Sequence, residues 1–283
     1  MVYKALLKLD CLSINLNFFG KELSMPIMGA STAGVHSFGG EDVISEKEFC
    51  RSIVKGCKNA GTLGWRGDSI NYSLENSYGI DAISEVGGLG VKIVKPRDQE
   101  TIIHFFKKAE KAQCVAVGVD IDGCGSYSMA KHNKPVYRKT PEDIKELVQS
   151  TSLPVIIKGI MCLEDAIAAK EAGASAIVVS NHGGRVLDHT PGTAEVIPKI
   201  VDELQGKILI LADGAVRTGY DALKMLALGA KAVLIGRDLI RAAVGGASEG
   251  VKIHMNYLKQ TLAKAMKMTN CKSLDRISSK ILL

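Results

Sequence analysis

The chain has 283 residues, 46% hydrophobic and 23% charged, enough apolar material for a large core that needs no disulfides. Its net charge of +6 is spread along the sequence, which suits a small anionic ligand and offers no basic block for nucleic acid. Seven cysteines, with no Cys-x-x-Cys pair and no adjacent histidine pattern, argue against a zinc site and for reduced thiols in a reducing, cytoplasmic compartment.

In chain order, Met1 to Ser24 reads as a short cover. It carries Lys4, Lys8 and Asp10 and lacks the apolar core of a signal peptide. Nowhere do about 18 consecutive apolar residues occur, so no membrane span is expected. Pro26-Ile27-Met28 opens a first candidate strand. Ser45-x-x-Glu48 then opens a helix through Phe49, Ile53 and Val54. Further strands start near Gly61, Gly90, Cys114, Pro154, Ser175, Lys207 and Lys231, and each gap is long enough for a helix. Thr140-Pro141-Glu142-Asp143 has the N-cap, first-turn proline and acids of a helix start. Two further helical patterns end at Gly173 and Gly229.

The strands are nearly unbroken apolar runs, such as Ile177-Val178-Val179 and Ile208-Leu209-Ile210-Leu211. Parallel strands covered on both faces read this way. Eight β-then-α units predict an α/β fold, a (β/α)8 TIM barrel. The rival, an open doubly wound sheet, lacks its Gly-x-Gly-x-x-Gly after the first strand. One domain over 1–283 is the economical reading, with the barrel proper at about 26–250. A helical extension follows, with Leu258, Leu262, Ala265 and Met266 on one face.

In such a barrel the strand ends converge on one face. Asp120 ends the fourth strand, Lys158 the fifth and Ser180 the sixth, with His182 and Arg185 just beyond. Asp213 ends the seventh, in Asp213-Gly214-Ala215-Val216-Arg217, and Gly236-Arg237 ends the eighth. Glycines that let backbone N–H groups approach and arginines that add charge suit a phosphate at the last two loops.

The blocks Ser180-Asn181-His182-Gly183-Gly184-Arg185, Asp213-Gly214-Ala215-Val216-Arg217 and Ile235-Gly236-Arg237 together resemble the FMN-dependent 2-hydroxy-acid dehydrogenase/oxidase family. The resemblance is dense from about Pro154 to Ile277 and traceable back to Pro26. It implies FMN as cofactor, a small 2-hydroxy acid as substrate, a 2-oxo acid as product and a homotetrameric assembly. It further implies His182 as the base and Asp120 as the carboxylate that orients it, with Asp122 a rival for that role. Arg185 would bind the substrate carboxylate, unless it pairs with Asp188. Lys158 would stabilise charge on the reduced flavin, and Ser180 would bond the flavin. Asp213 to Arg217 and Gly236-Arg237 would hold ribityl and phosphate. Ser31-Thr32-Ala33 aligns with a flavin-contacting segment, and Lys92 falls where a flavin-binding glutamine is usual.

The sequence departs from the pattern on the substrate side. The strand-three pocket tyrosine aligns with Val94, Tyr3 has no evident place in the pocket, and Gly118 replaces a threonine. Asp122-Gly123-Cys124-Gly125-Ser126 stands where a second substrate arginine is usual. Two alternatives therefore stay open: a different flavin-barrel reaction, as in type 2 isopentenyl diphosphate isomerases, and a flavin- or phosphate-binding barrel without turnover.

Overall fold

The computed structural model describes Met1, Val2, Lys4, 12–70, Ser73 and 77–283. Tyr3, Lys8, Asp10 and Cys11 lie outside the described residues. Ten strands and nine α-helices occur among those described. A hairpin, β1 (Leu16–Phe18) and β2 (Lys21–Leu23), comes first. Eight parallel strands follow: β3 (Ile27–Thr32), β4 (Gly64–Arg66), β5 (Gly90–Val94), β6 (Ala116–Asp120), β7 (Val155–Ile160), β8 (Ala176–Val179), β9 (Leu209–Ala212) and β10 (Ala232–Ile235). They close as a barrel in chain order, β10 pairing with β3. The eight strands expected from the apolar runs are these eight.

The helices on the outside are α1 (Glu46–Asn59), α2 (Tyr78–Glu85), α3 (Gln99–Lys111), α4 (Tyr127–Lys131), α5 (Pro141–Gln149), α6 (Leu163–Glu171), α7 (Thr193–Leu204), α8 (Gly219–Ala227) and α9 (Arg237–Met268). Their starts follow local hydrogen bonding. Ser45 accepts from the Glu48 N–H, and Thr140 and Asp143 form a reciprocal capping box. Helix α9 breaks at Gly246-Ala247, where the backbone leaves helical angles. Beyond the break, Val251, Met255, Leu258, Leu262, Ala265 and Met266 are buried, and α9 packs on α1 and α8.

Strand residues alternate between two apolar layers. The inner layer includes Met28, Leu63, Trp65, Val91, Ile93, Ala116, Ile156, Val178, Leu211 and Leu234. The outer layer sets Val94, Val117, Val119, Ile157, Val179 and Ala212 against the helices. The N-terminal cover is the β1–β2 hairpin, whose Phe18 and Leu23 join the inner layer. Ser24, just after it, bonds to Ala60 and Gly61 on the loop before β4, so the hairpin plugs the end of the barrel where the strands begin. Its turn, Phe19-Gly20, has positive φ at both residues, the turn that matches strand twist. The opposite end is left to the polar strand termini.

Candidate active site

Continuing the inner-layer alternation past the apolar residues gives the site. On β6 the series Ala116, Gly118 ends in Asp120, on β7 Ile156 leads to Lys158, and on β8 Val178 leads to Ser180. The parallel register sets Asp120 beside Lys158. All three side chains are buried.

Lys158 Nζ donates to Ser180 Oγ at 2.7 Å and lies 3.3 Å from Asp213 Oδ2. Burial alone would push this ammonium down. Asp213, Asp122 and Asp120 outweigh burial and hold it above its ordinary value, so it stays charged. Ser180 Oγ also accepts the backbone N–H of His182 at 3.2 Å. That bond fixes the start of a turn in which His182, Gly183 and Gly184 all have positive φ. A non-glycine residue in this conformation is uncommon and strained. Here it aims the imidazole across the barrel mouth at the turn after β6.

The carboxylate facing that imidazole is Asp122. His182 Nδ1 lies 3.2 Å and 3.1 Å from its two oxygens and 3.9 Å from Asp120 Oδ2. Of the two carboxylates the resemblance offered for the orienting role, Asp122 is the nearer to the imidazole, and Asp120 Oδ2 accepts from Lys95 Nζ at 2.5 Å. Burial would raise Asp122. The hydrogen bond from His182, with the charges of Lys158, His182 and Lys95, outweighs burial and sets Asp122 below its usual value.

Asp122 can lie there because of Gly159. The ladder slips between Lys158 and Ile160, Gly159 has φ +97°, and a Cβ on it would fall 2.6 Å from Asp122 Cγ. This bulge turns the end of β7 aside and makes room for the Asp122 side chain. Gly159→Ala is expected to cost about 1–3 kcal/mol and to part Asp122 from His182. Thermal unfolding and the chemical shifts of the His182 ring check it, and an unchanged midpoint would refute the packing argument.

Strand β5 is phased by its neighbours in the barrel. Val91 and Ile93 point inward, so Lys92 and Val94 face the helices. Lys92, the residue expected at the flavin, is fully buried there. It donates to the Gly67 carbonyl and lies in the electrostatic reach of Asp68, Cys50, Arg66 and Arg97. Burial there lowers its ammonium to about 8, with Asp68 opposing. The side chain that reaches the site from this strand's end is Lys95, just past β5 and two residues beyond Ile93. Its stem lies under the turn after β6, 3.2 Å from where a Cβ on Gly123 would be. Sequence reasoning missed Lys95 and Gly159. A glycine ending a strand pattern is a bulge signal, and Lys95 is found only once the pleat is phased from Val91 and Ile93. Ser126, in the segment that stands where a second substrate arginine is usual, caps α4 by accepting from the Met129 N–H.

The remaining expected residues lie on the same end. Ser31 and Thr32 end β3, and Ala33 follows. Arg185 is exposed, beyond His182. Asp213 to Arg217 form the loop from β9 to α8, with Val216 buried and Arg217 exposed. Gly236 caps α9, and Arg237 begins it.

FMN fits these residues. Asp213 Oδ1 is buried with no hydrogen-bond partner among the described residues, an acceptor a ribityl hydroxyl would satisfy. A Cβ on Gly236 would point toward Thr32 Cγ2 and Ala30 Cβ, 3.8 and 3.9 Å away, so the backbone at the start of α9 is open on the barrel side. That helix N-terminus, with Arg217 and Arg237, suits a phosphate. The buried Lys158 cation suits the electron-rich edge of a reduced ring.

The sequence profile of the FMN-dependent dehydrogenase family matches residues 125–283. The peroxisomal (S)-2-hydroxyacid oxidase GLO3 of Arabidopsis thaliana is 44% identical over 137 residues, which are 48% of this chain and 38% of that protein. The chain thus spans well under half the length of that relative. L-lactate oxidase of Lactobacillus jensenii is 28% identical over 98% of this chain and 73% of its own. A mandelate oxidase variant, solved with a monooxide FMN adduct, superposes with a TM-score of 0.81 at 29% identity, covering 97% of this chain and 84% of its own.

Proposed function

The chain belongs to the FMN-dependent dehydrogenase family, and from that premise we propose that it oxidises a small 2-hydroxy acid to the 2-oxo acid, with His182 as base and Arg185 as the carboxylate clamp. The observation that carries this reading is the His182–Asp122 pair, set at the barrel mouth beside the buried Lys158 ammonium. Relatives named as 2-hydroxyacid and lactate oxidases support the substrate class.

Asp122 accepts at Nδ1, so Nδ1 carries the proton and Nε2 keeps the lone pair. Nε2 is then the atom that removes a proton from the substrate, and Asp122 stabilises the imidazolium that results. Arg185 lies three residues on, across a turn with two glycines of positive φ. Its planar fork suits a carboxylate better than an ammonium would. Bound FMN would supply the acceptor for the two electrons and the second hydrogen that leave the substrate, as hydride or its equivalent. Lys158, held charged by three carboxylates, stabilises negative charge beside it. Asp213, the start of α9, Arg217 and Arg237 bind and orient the ribityl phosphate.

The test is anaerobic. The purified protein, loaded with FMN, is mixed with a panel of 2-hydroxy acids, and flavin absorbance is followed. Bleaching by at least one acid, with the matching 2-oxo acid formed, is the expected result. A protein that binds FMN but is reduced by no member of a broad panel overturns the proposal in favour of another flavin-barrel reaction or binding alone. Failure to take up FMN at all overturns both.

A further inference from the structure

The site holds an unusual density of charge. Asp120, Asp122 and His182 each offer an oxygen or nitrogen within 4.8 Å of the others. Two carboxylates face the imidazole, Asp120 from β6 and Asp122 from the following turn, and behind them stand Lys95 just past β5, paired with Asp120, and Lys158 on β7, paired with Asp213 at the end of β9. Arg185 stands on the histidine's own loop. Two carboxylates this close to one imidazole compete for its Nδ1 proton, and together they favour the imidazolium. An imidazolium cannot act as a base.

We propose that Lys95 is a positioning residue: by holding Asp120 it leaves Asp122 as the sole orienting partner of His182, with Nε2 turned to the substrate. The inference rests on the reading of His182 as a base.

Three observations carry it. Lys95 Nζ contacts Asp120 Oδ2 at 2.5 Å, and that oxygen is the one 3.9 Å from His182 Nδ1. The lysine therefore faces the very oxygen that would otherwise draw the histidine proton. Its side chain is 13% exposed and that of Asp120 7%, so water screens the pair little. Its stem is pinned under Gly123, in the turn that carries Asp122, so one side chain meets both carboxylate-bearing segments. Lys158 makes its ion pair with Asp213, at 3.3 Å, and acts on Asp120 only through longer-range charge.

The test uses the FMN-loaded chain with isotope-labelled histidine. His182 is followed by NMR, its signal identified by its loss in His182→Asn. In Lys95→Met the pH at which His182 takes up a proton is expected to rise by about one unit. The acid limb of the kcat/KM profile should rise with it, since the base is lost to protonation at higher pH. Lys95→Arg, which restores the cation, should return both toward the parent. Removing both charges, in Lys95→Met with Asp120→Asn, should also return the midpoint toward the parent, although the packing of Lys95 is gone. Lys95→Gln, which keeps a donor without charge, should behave like Lys95→Met and serves if the methionine variant does not fold.

No rise in either uncharged variant overturns the proposal, as does a rise that persists in the doubly neutral variant. The NMR titration needs no substrate. If no 2-hydroxy acid reduces the flavin, the proposed reaction fails, and the histidine titration still decides the role of Lys95.

Discussion

Replacing His182 by alanine is expected to slow flavin reduction by about 10²–10⁴-fold while FMN stays bound, the range that one positioned general base contributes. The separation of the two effects follows from where the residue stands. The imidazole faces Asp122, and its backbone N–H, which alanine retains, bonds to Ser180. The groups assigned to the ribityl phosphate lie on the loops after β9 and β10. Alanine does carry a conformational penalty, because position 182 has φ +56° and a methyl side chain is strained there by about 1 kcal/mol. Asparagine tolerates that conformation better, so His182→Asn separates strain from lost basicity. Both variants should bind FMN, by flavin absorbance, and both should be slow. Loss of FMN from both would mean that His182 holds the cofactor site together, and rapid reduction by either would remove it as the base.

The barrel was legible because parallel strands covered on both faces are written as β-branched runs, and Ile177-Val178-Val179 needs no partner to be read as one. The polar residues that end those runs were legible for the same reason: Lys158, Ser180 and Asp213 can hardly follow such strands except into a site. What the sequence hides is a consequence of the same burial. In β5, Val91, Lys92, Ile93 and Val94 are all buried, so no alternation of polar and apolar residues marks the inner face. Only the cross-barrel layer of Val91 and Ile93 with Trp65 and Ala116 phases the strand and carries the series on to Lys95. The choice between Asp120 and Asp122 was hidden for a different reason. It depends on a bulge at Gly159, 37 residues after Asp122 in the chain, and on a lysine from another strand. Long-range packing decides which of two neighbouring carboxylates meets the histidine.

That choice makes a sharp prediction. Asp122→Asn is expected to reduce kcat by about 10²–10⁴-fold, comparable to losing the orienting carboxylate of other histidine-based sites. An asparagine of the same shape can offer its NH2 to Nδ1, which then becomes the acceptor. The proton is forced to Nε2, the atom that must take a proton from the substrate. Asp120→Asn should cost far less at Nδ1, because Asp120 Oδ2 is already committed to Lys95 and stands 3.9 Å from the histidine. Its effect should come through the freed ammonium. That charge disfavours the imidazolium, so the acid limb of the pH profile should move down, opposite in sign to the Lys95→Met shift. Single-turnover flavin reduction in the two variants, with FMN content confirmed in each, gives the comparison directly. Equal losses in both would mean that the carboxylates act as one unit, and a larger loss in Asp120→Asn would return the orienting role to Asp120.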